Sequence, residues 1–281
     1  MLVKSIKMQL KLILGRKSAI IIFYGLIALV LYTYFSNIIA FSGRDIGDMY
    51  HPMKILTLSQ GQSTFGRFMS AYFLQYYPLI VIIPVGFSYF TDRNTRAYVF
   101  IRSRVGNRSY YIGKLISVFI ANFLIFTIPF FIEIMLNTIA FPIEANGDPL
   151  GNHIYTEIFI EMARNFLFSD IYIQNPYVYA LLITLLFGIV SGTLGLFTVS
   201  ISTFNIKYKL LLFLPVYALL NIVAMLKDTI SSINVSTHYF NYLRIFDVEI
   251  KSDLGYLILL FGILIVSILI FILKIKREDI A

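Results

Sequence analysis

Residues 71–141 read AYFLQYYPLIVIIPVGFSYF (71–90), TDRNTRAYVFIRSRVGNRSYYIGK (91–114) and LISVFIANFLIFTIPFFIEIMLNTIAF (115–141). Two apolar runs flank 24 residues that hold six Lys or Arg and a single acid, Asp92. A helix needs about 20 apolar residues to cross the hydrocarbon of a bilayer, so each flanking run has the length of one crossing. The segment between them is far longer and more basic than a connector requires.

Four more runs of this kind lie outside that block, at 18–41, 177–204, 210–226 and 254–273, of which 210–226 is the shortest. Apolar residues make up 58% of the 281 and aromatics 16%, with a mean hydropathy of +0.80, which excludes an ordinary soluble domain. Backbone polar groups cannot go unpaired in hydrocarbon, and no alternating barrel pattern is present, so the runs predict helices. The expectation is an all-α membrane protein, a single domain over 1–281 with six transmembrane helices.

Orientation follows from the cations. The 1–17 segment, the 91–114 loop, Lys207 with Lys209, and Lys274, Lys276 and Arg277 together hold 16 of the 23 Lys and Arg. The alternate loops hold 11 of the 15 acids. The positive-inside rule then predicts that both termini are cytoplasmic. The formal charge of +8 is explained by this topology and by anionic lipid, so no nucleic-acid partner is implied. The first run is too long for a cleaved signal peptide and lacks its cleavage pattern, and so reads as a retained helix.

At the amino terminus, Lys4, Lys7 and Lys11 recur at helical spacing among Leu2, Ile6, Leu10 and Ile13. That pattern predicts an interfacial helix over 1–17 on the inner leaflet; a basic flank that only orients the first span is the alternative. In the acidic loop 142–176, Ile154, Ile158, Met162 and Phe166 recur every four residues opposite Glu157, Glu161 and Asn165. A short amphipathic helix is expected there, gating an exit path or lying at the headgroups. Gly188, Gly192 and Gly195 form a small-residue stripe in the fourth run, a packing face within the chain or against a second copy.

Catalytic chemistry has little to stand on. Cysteine is absent, and His51, His153 and His238 fall in three different loops without metal-ligand spacing, so neither an enzyme nor a bound cofactor or metal is expected. Gly15, Arg16, Lys17 and Ser18 mimic the end of a Walker A loop, but its earlier glycine is missing. One carboxylate, Glu133, falls within a run. It faces a translocation path, with Asn122 and Asn137 on neighbouring faces and Pro129 loosening the helix, or it reaches the outer headgroups. On the first alternative the chain is a self-sufficient secondary transporter or channel, although no repeated halves are visible.

The basic loop gives the other alternative. Tyr98, Val99, Phe100 and Ile101 form an apolar group amid Arg96, Arg102, Arg104 and Arg108. Asp92, then the helix expected over 95–101, then Arg108, and Tyr111, Gly113 and Lys114 at the entry to the next run stand in the order found between spans two and three of ABC-2 type permeases. The chain resembles that family over its whole layout. It departs from it in carrying Asp92 for the usual Glu, Arg96 and Ala97 for a Gly-Thr pair, and no Pro near Val105.

The resemblance implies a multi-pass membrane subunit of an ABC exporter in the cell membrane of a bacterium, carrying an amphipathic peptide, drug or lipid-like cargo. It implies separate ATP-binding subunits, which hold the ATP and Mg, and a second copy or a homologous permease as partners. It further implies a coupling helix that meets the ATP-binding subunit through Asp92, Thr95, Arg96, Tyr98, Val99, Phe100, Ile101, Arg102, Arg104 and Arg108.

Overall fold

The computed structural model describes residues 2–46, 49–59, 63–143, 164–204, 206–226, 235–245 and 250–280, the last six as backbone only. The regular elements among the described residues are all helical. They are α1 (Leu2–Leu14), α2 (Lys17–Phe41), α3 (Thr64–Ile80), α4 (Ser88–Asn94), α5 (Ala97–Val105) and α6 (Asn107–Ala140). After these come α7 (Ser169–Gln174), α8 (Pro176–Ile201), α9 (Phe213–Ala224), α10 (Tyr239–Leu243) and α11 (Asp253–Ile280). Four of them are long and apolar enough to cross a membrane: α2, α6, α8 and α11 over 253–274. Residues 154–163 of the helix expected over 154–166 lie outside the described residues, as do Glu144, Asp148, Glu157, Glu161 and His153, and residues 164–166 form a turn.

The expected span at 71–90 is not one continuous helix. α3 is helical only to Ile80, residues 81–87 form successive turns, and α4 follows. Pro84 lacks an N–H and its ring crowds the carbonyl of Ile80, which favours a break there, although α3 and α6 continue through Pro78 and Pro129. The break is tolerated because Val81, Ile82 and Val85 are fully buried and Asn122 donates from Nδ2 to the freed Val81 carbonyl at 3.1 Å. The segment still runs from one end of α2 to the other. Ser63 N donates to Asn37 Oδ1, and Asp92 pairs with Arg16, which immediately precedes α2. The run at 210–226 is likewise short, a 3-10 turn Lys209–Leu212 leading into the twelve residues of α9.

The core is built on α6 and α8. The glycine stripe packs within the chain: a Cβ at Gly192 would fall 2.8 Å from the Phe119 ring, and one at Gly188 would overlap Thr127 Oγ1 and crowd the Phe123 ring. Backbones therefore approach closely, as small residues allow between helices in lipid. Around that seam Phe187 meets Phe130 at 5.2 Å, Tyr77 at 5.3 Å and Phe126 at 6.0 Å between ring centroids. Apolar burial gains little against lipid tails, so interlocking rings and buried hydrogen bonds hold this seam together. Tyr77 and Ser191 share one such bond at 2.9 Å, and Asn122 Nδ2 also donates to the Ser191 carbonyl at 2.6 Å.

α1 ends at Leu14 and differs from a helix that only floats on lipid. Its buried face is Ser5, Gln9 and Ile13, of which only Ile13 belongs to the apolar set read from the sequence. Gln9 Nε2 donates to the Tyr110 carbonyl at 2.9 Å, Ser117 Oγ donates to the Ile6 carbonyl at 2.9 Å, and Gly113 leaves room for Ser5. Leu2, Val3, Met8 and Leu12 remain exposed, and they form the face available to a lipid surface.

Candidate functional site: the basic end and the opposite latch

At the basic end of the bundle the chain leaves α4, turns and forms α5. The turn is set by Arg96, whose φ of 56° and ψ of 11° place a non-glycine residue in the left-handed region. α5 therefore begins at Ala97, two residues beyond the expected start, and runs to Val105. Gly106, at φ 82°, then redirects the chain into α6.

The residues expected to meet a partner divide into two sets. Tyr98 and Ile101 pack against the cluster of Ile13, Tyr110, Tyr111 and Phe271, and Arg102 lies over the rings of Tyr98 and Tyr111, 5.8 Å from each centroid. Val99 and Phe100 point outward, 48% and 69% exposed, and Thr95, Arg96, Arg104 and Arg108 are exposed beside them. The helix thus presents an aromatic residue framed by guanidinium groups.

Asp92 belongs to the inward set. Its side chain is largely buried and gathers three donors: Arg16 Nη2 at 3.0 Å on Oδ1, and Lys114 Nζ at 2.6 Å and the Tyr110 hydroxyl at 3.3 Å on Oδ2. Arg16 also donates to the Ser88 carbonyl at 3.3 Å. One carboxylate thereby joins the α1–α2 junction, α4 and α6. Lys114 is fully enclosed, and a buried ammonium of this kind requires a paired counter-charge. The sequence reading placed Asp92 in the loop and Lys114 at the helix entry but did not pair them. Their opposite charges on either side of an apolar α5 face were the only signal.

The residues expected to line a path, Glu133, Asn122 and Asn137, share one side of α6 and are all buried. Asn122 lies about 16 Å down the axis from Glu133 and binds backbone, as described above. Glu133 meets residues 51–59, a connecting segment buried throughout its length. Its Oε1 accepts from Thr57 N at 2.6 Å and from Thr57 Oγ1 at 2.7 Å. Ser70 Oγ donates to the Thr57 carbonyl at 2.5 Å, Asn37 Nδ2 donates to the Ile55 carbonyl at 2.7 Å, and Asn137 Nδ2 donates to the Glu133 carbonyl at 3.2 Å. Glu133 thus closes a latch that holds an irregular segment among α2, α3 and α6.

His51 begins that segment. Its ring lies 5.0 Å from that of Tyr177, and its Nδ1 accepts from Met53 N. Burial first, and the Lys54 charge second, push its pKa down to about 4, so the ring stays neutral in the folded chain. Thr57, Asn37 and Ser70 escaped the sequence reading because single hydroxyl and amide residues at loop and helix ends carry no pattern. Among the described residues no group of three His, Asp or Glu is placed to hold a metal ion. No family model, curated protein or solved structure matches the chain, so the site is read from its own geometry.

Proposed function

We propose that the chain is the membrane subunit of an ATP-driven exporter of the ABC-2 kind, crossing the membrane six times with both termini in the cytoplasm. The observation that carries this reading is α5: an exposed Val99 and Phe100 framed by Arg96, Arg104 and Arg108, on a helix seated on α6 and fixed to α2 through Asp92. An exposed aromatic ringed by arginines has the composition of a docking hot spot.

In this reading a separate ATP-binding subunit seats Phe100 in an apolar cleft with acids at its rim. Nucleotide-driven closure of a pair of such subunits moves α5, and the Asp92 clamp passes the displacement to α2 and α6, biasing the bundle between two arrangements. ATP and Mg belong to that partner, and this chain hydrolyses nothing. A second permease, identical or homologous, completes the translocation unit. The cargo is an amphipathic molecule leaving the cytoplasm or the inner leaflet, and the membrane is that of a bacterial cell. The burial of the Glu133 carboxylate supports the other reading, a self-sufficient secondary transporter or channel. Its bonds to Thr57 support a latch instead.

The test uses the absence of native cysteine. Ser103→Cys, an exposed position on α5 that leaves Phe100 in place, expressed in the source cell and treated with a short bifunctional thiol–amine reagent, yields an adduct containing an ATP-binding protein. Adducts with lipid alone, or with no protein of that class, refute the proposal.

A further inference from the structure

Away from the clamp and the latch, α3, α8, α9, α11 and the 235–245 segment line a half-open cavity of about 240 Å3. Leu194, Leu220 and Leu260 supply much of its wall. The hydroxyls that reach it are nearly all committed to the protein. Tyr77 is bonded to Ser191, Thr193 to the Ile189 carbonyl, Tyr239 to the Gln75 carbonyl and Tyr242 to the Ser236 carbonyl. Among the tyrosines of the wall, Tyr256 is the exception. It is 7% exposed and stacks on Tyr242 at 5.7 Å and 9°, and its hydroxyl has no hydrogen-bond partner among the described residues.

Such a cavity does not suit water, which needs two to four polar partners, whereas this wall is mainly leucine, valine and isoleucine. The apolar wall and the Tyr256 hydroxyl facing it suit an occupant that is apolar over its length and carries one oxygen acceptor. A dry cavity of 150 Å3 accepts benzene; by proportion 240 Å3 takes about nine or ten carbons.

We propose that this cavity binds an acyl chain, with its carboxyl or ester oxygen accepting from the Tyr256 hydroxyl and its methylenes lying on Leu194, Leu220 and Leu260. The site is independent of the exporter reading. It stands whether or not an ATP-binding partner exists. A free fatty acid and the acyl chain of a phospholipid offer the same chemistry.

The test uses purified full-length protein in detergent, with two diazirine probes, a C10 fatty acid and a phosphatidylglycerol bearing the same chain. Labelling is quantified and mapped by peptide mass spectrometry. Saturable labelling of α8, α9 or α11 at the cavity wall is expected from at least one probe, and which probe labels identifies the source. Tyr256→Phe, which preserves the ring, is expected to raise the half-saturating concentration about five-fold. Leu260→Trp fills the space and is expected to abolish wall labelling while an unchanged melting profile certifies its fold. Non-saturable labelling, labelling confined to the lipid-facing surface, or identical curves for wild type and Tyr256→Phe would overturn the proposal.

Discussion

Asp92 and Lys114, 22 residues apart in the chain, meet at 2.6 Å between carboxylate and ammonium where α4 crosses the start of α6. The contact is sheltered from solvent and shares its carboxylate with Arg16 and Tyr110. Removing Asp92 leaves Lys114 charged and enclosed, whereas removing Lys114 leaves Asp92 paired with Arg16.

Asp92→Asn is expected to destabilise the protein by about 3–5 kcal/mol and Lys114→Met by less, since Arg16 still pairs the carboxylate, whereas the double variant Asp92→Asn/Lys114→Met costs less than the sum of the two. Chemical unfolding in mild detergent measures all three. Additive losses would mean that the two residues act separately.

The Glu133 latch makes a prediction about access. Thr57→Val keeps the shape of the side chain and removes the hydroxyl donor to the Glu133 carboxyl, a loss of about 1.5 kcal/mol. In a chain without native cysteine, Leu58→Cys is a clean reporter of exposure. Its modification by a polar maleimide is expected to accelerate at least ten-fold in the Thr57→Val background. An unchanged rate would show that the 51–59 segment does not open through this bond.

His51 gives the same segment a pH dependence. Its folded pKa lies near 4, below the ordinary 6.5, because burial and Lys54 oppose its charging. The open segment therefore binds the proton more readily than the closed one. Closure is expected to be strongest above pH 6.5, to weaken as pH falls from 6.5 towards 4, and to level off below that. Protection of Leu58→Cys, followed with an acid-tolerant disulfide reagent such as a pyridyl disulfide, reports it; His51→Gln is expected to flatten the profile. A slope that persists in that variant would assign the effect to another group.

The left-handed conformation of Arg96 costs about 1–2 kcal/mol that glycine does not pay. Arg96→Gly is expected to regain part of this as a rise of about 2 °C in the unfolding midpoint. A fall would mean that the arginine side chain holds the turn by contacts worth more than its backbone strain.

These relationships were unevenly legible in the sequence. Long apolar runs announced α2, α6, α8 and α11 because length and hydropathy are properties of the residues themselves. The same measure could not separate an unbroken helix from α3, since residues 81–87 are as apolar as a span; Pro78 and Pro84 were the only local notice. The 51–59 segment reads as an ordinary connector because His51, Lys54, Thr57 and Ser59 are polar. Its burial depends on partners supplied from α2, α3 and α6, which no local pattern encodes. The basic loop was read as a helix-bearing surface, and the outward Val99 and Phe100 agree with that. The inward turn of Asp92 did not follow, because pairing across 22 residues is a tertiary fact.

The central claim, that α5 is the seat of an ATP-binding subunit, is tested most directly by comparing wild type with Phe100→Glu/Arg104→Glu. Each tagged chain is purified from its native membrane in mild detergent, and co-eluting proteins are quantified by mass spectrometry. Both altered side chains are exposed, so the variant is expected to fold and insert as wild type does. The account predicts a stoichiometric ATP-binding protein with wild type and its loss, by at least ten-fold, with the variant. No such protein with wild type, or equal recovery with both chains, would contradict it.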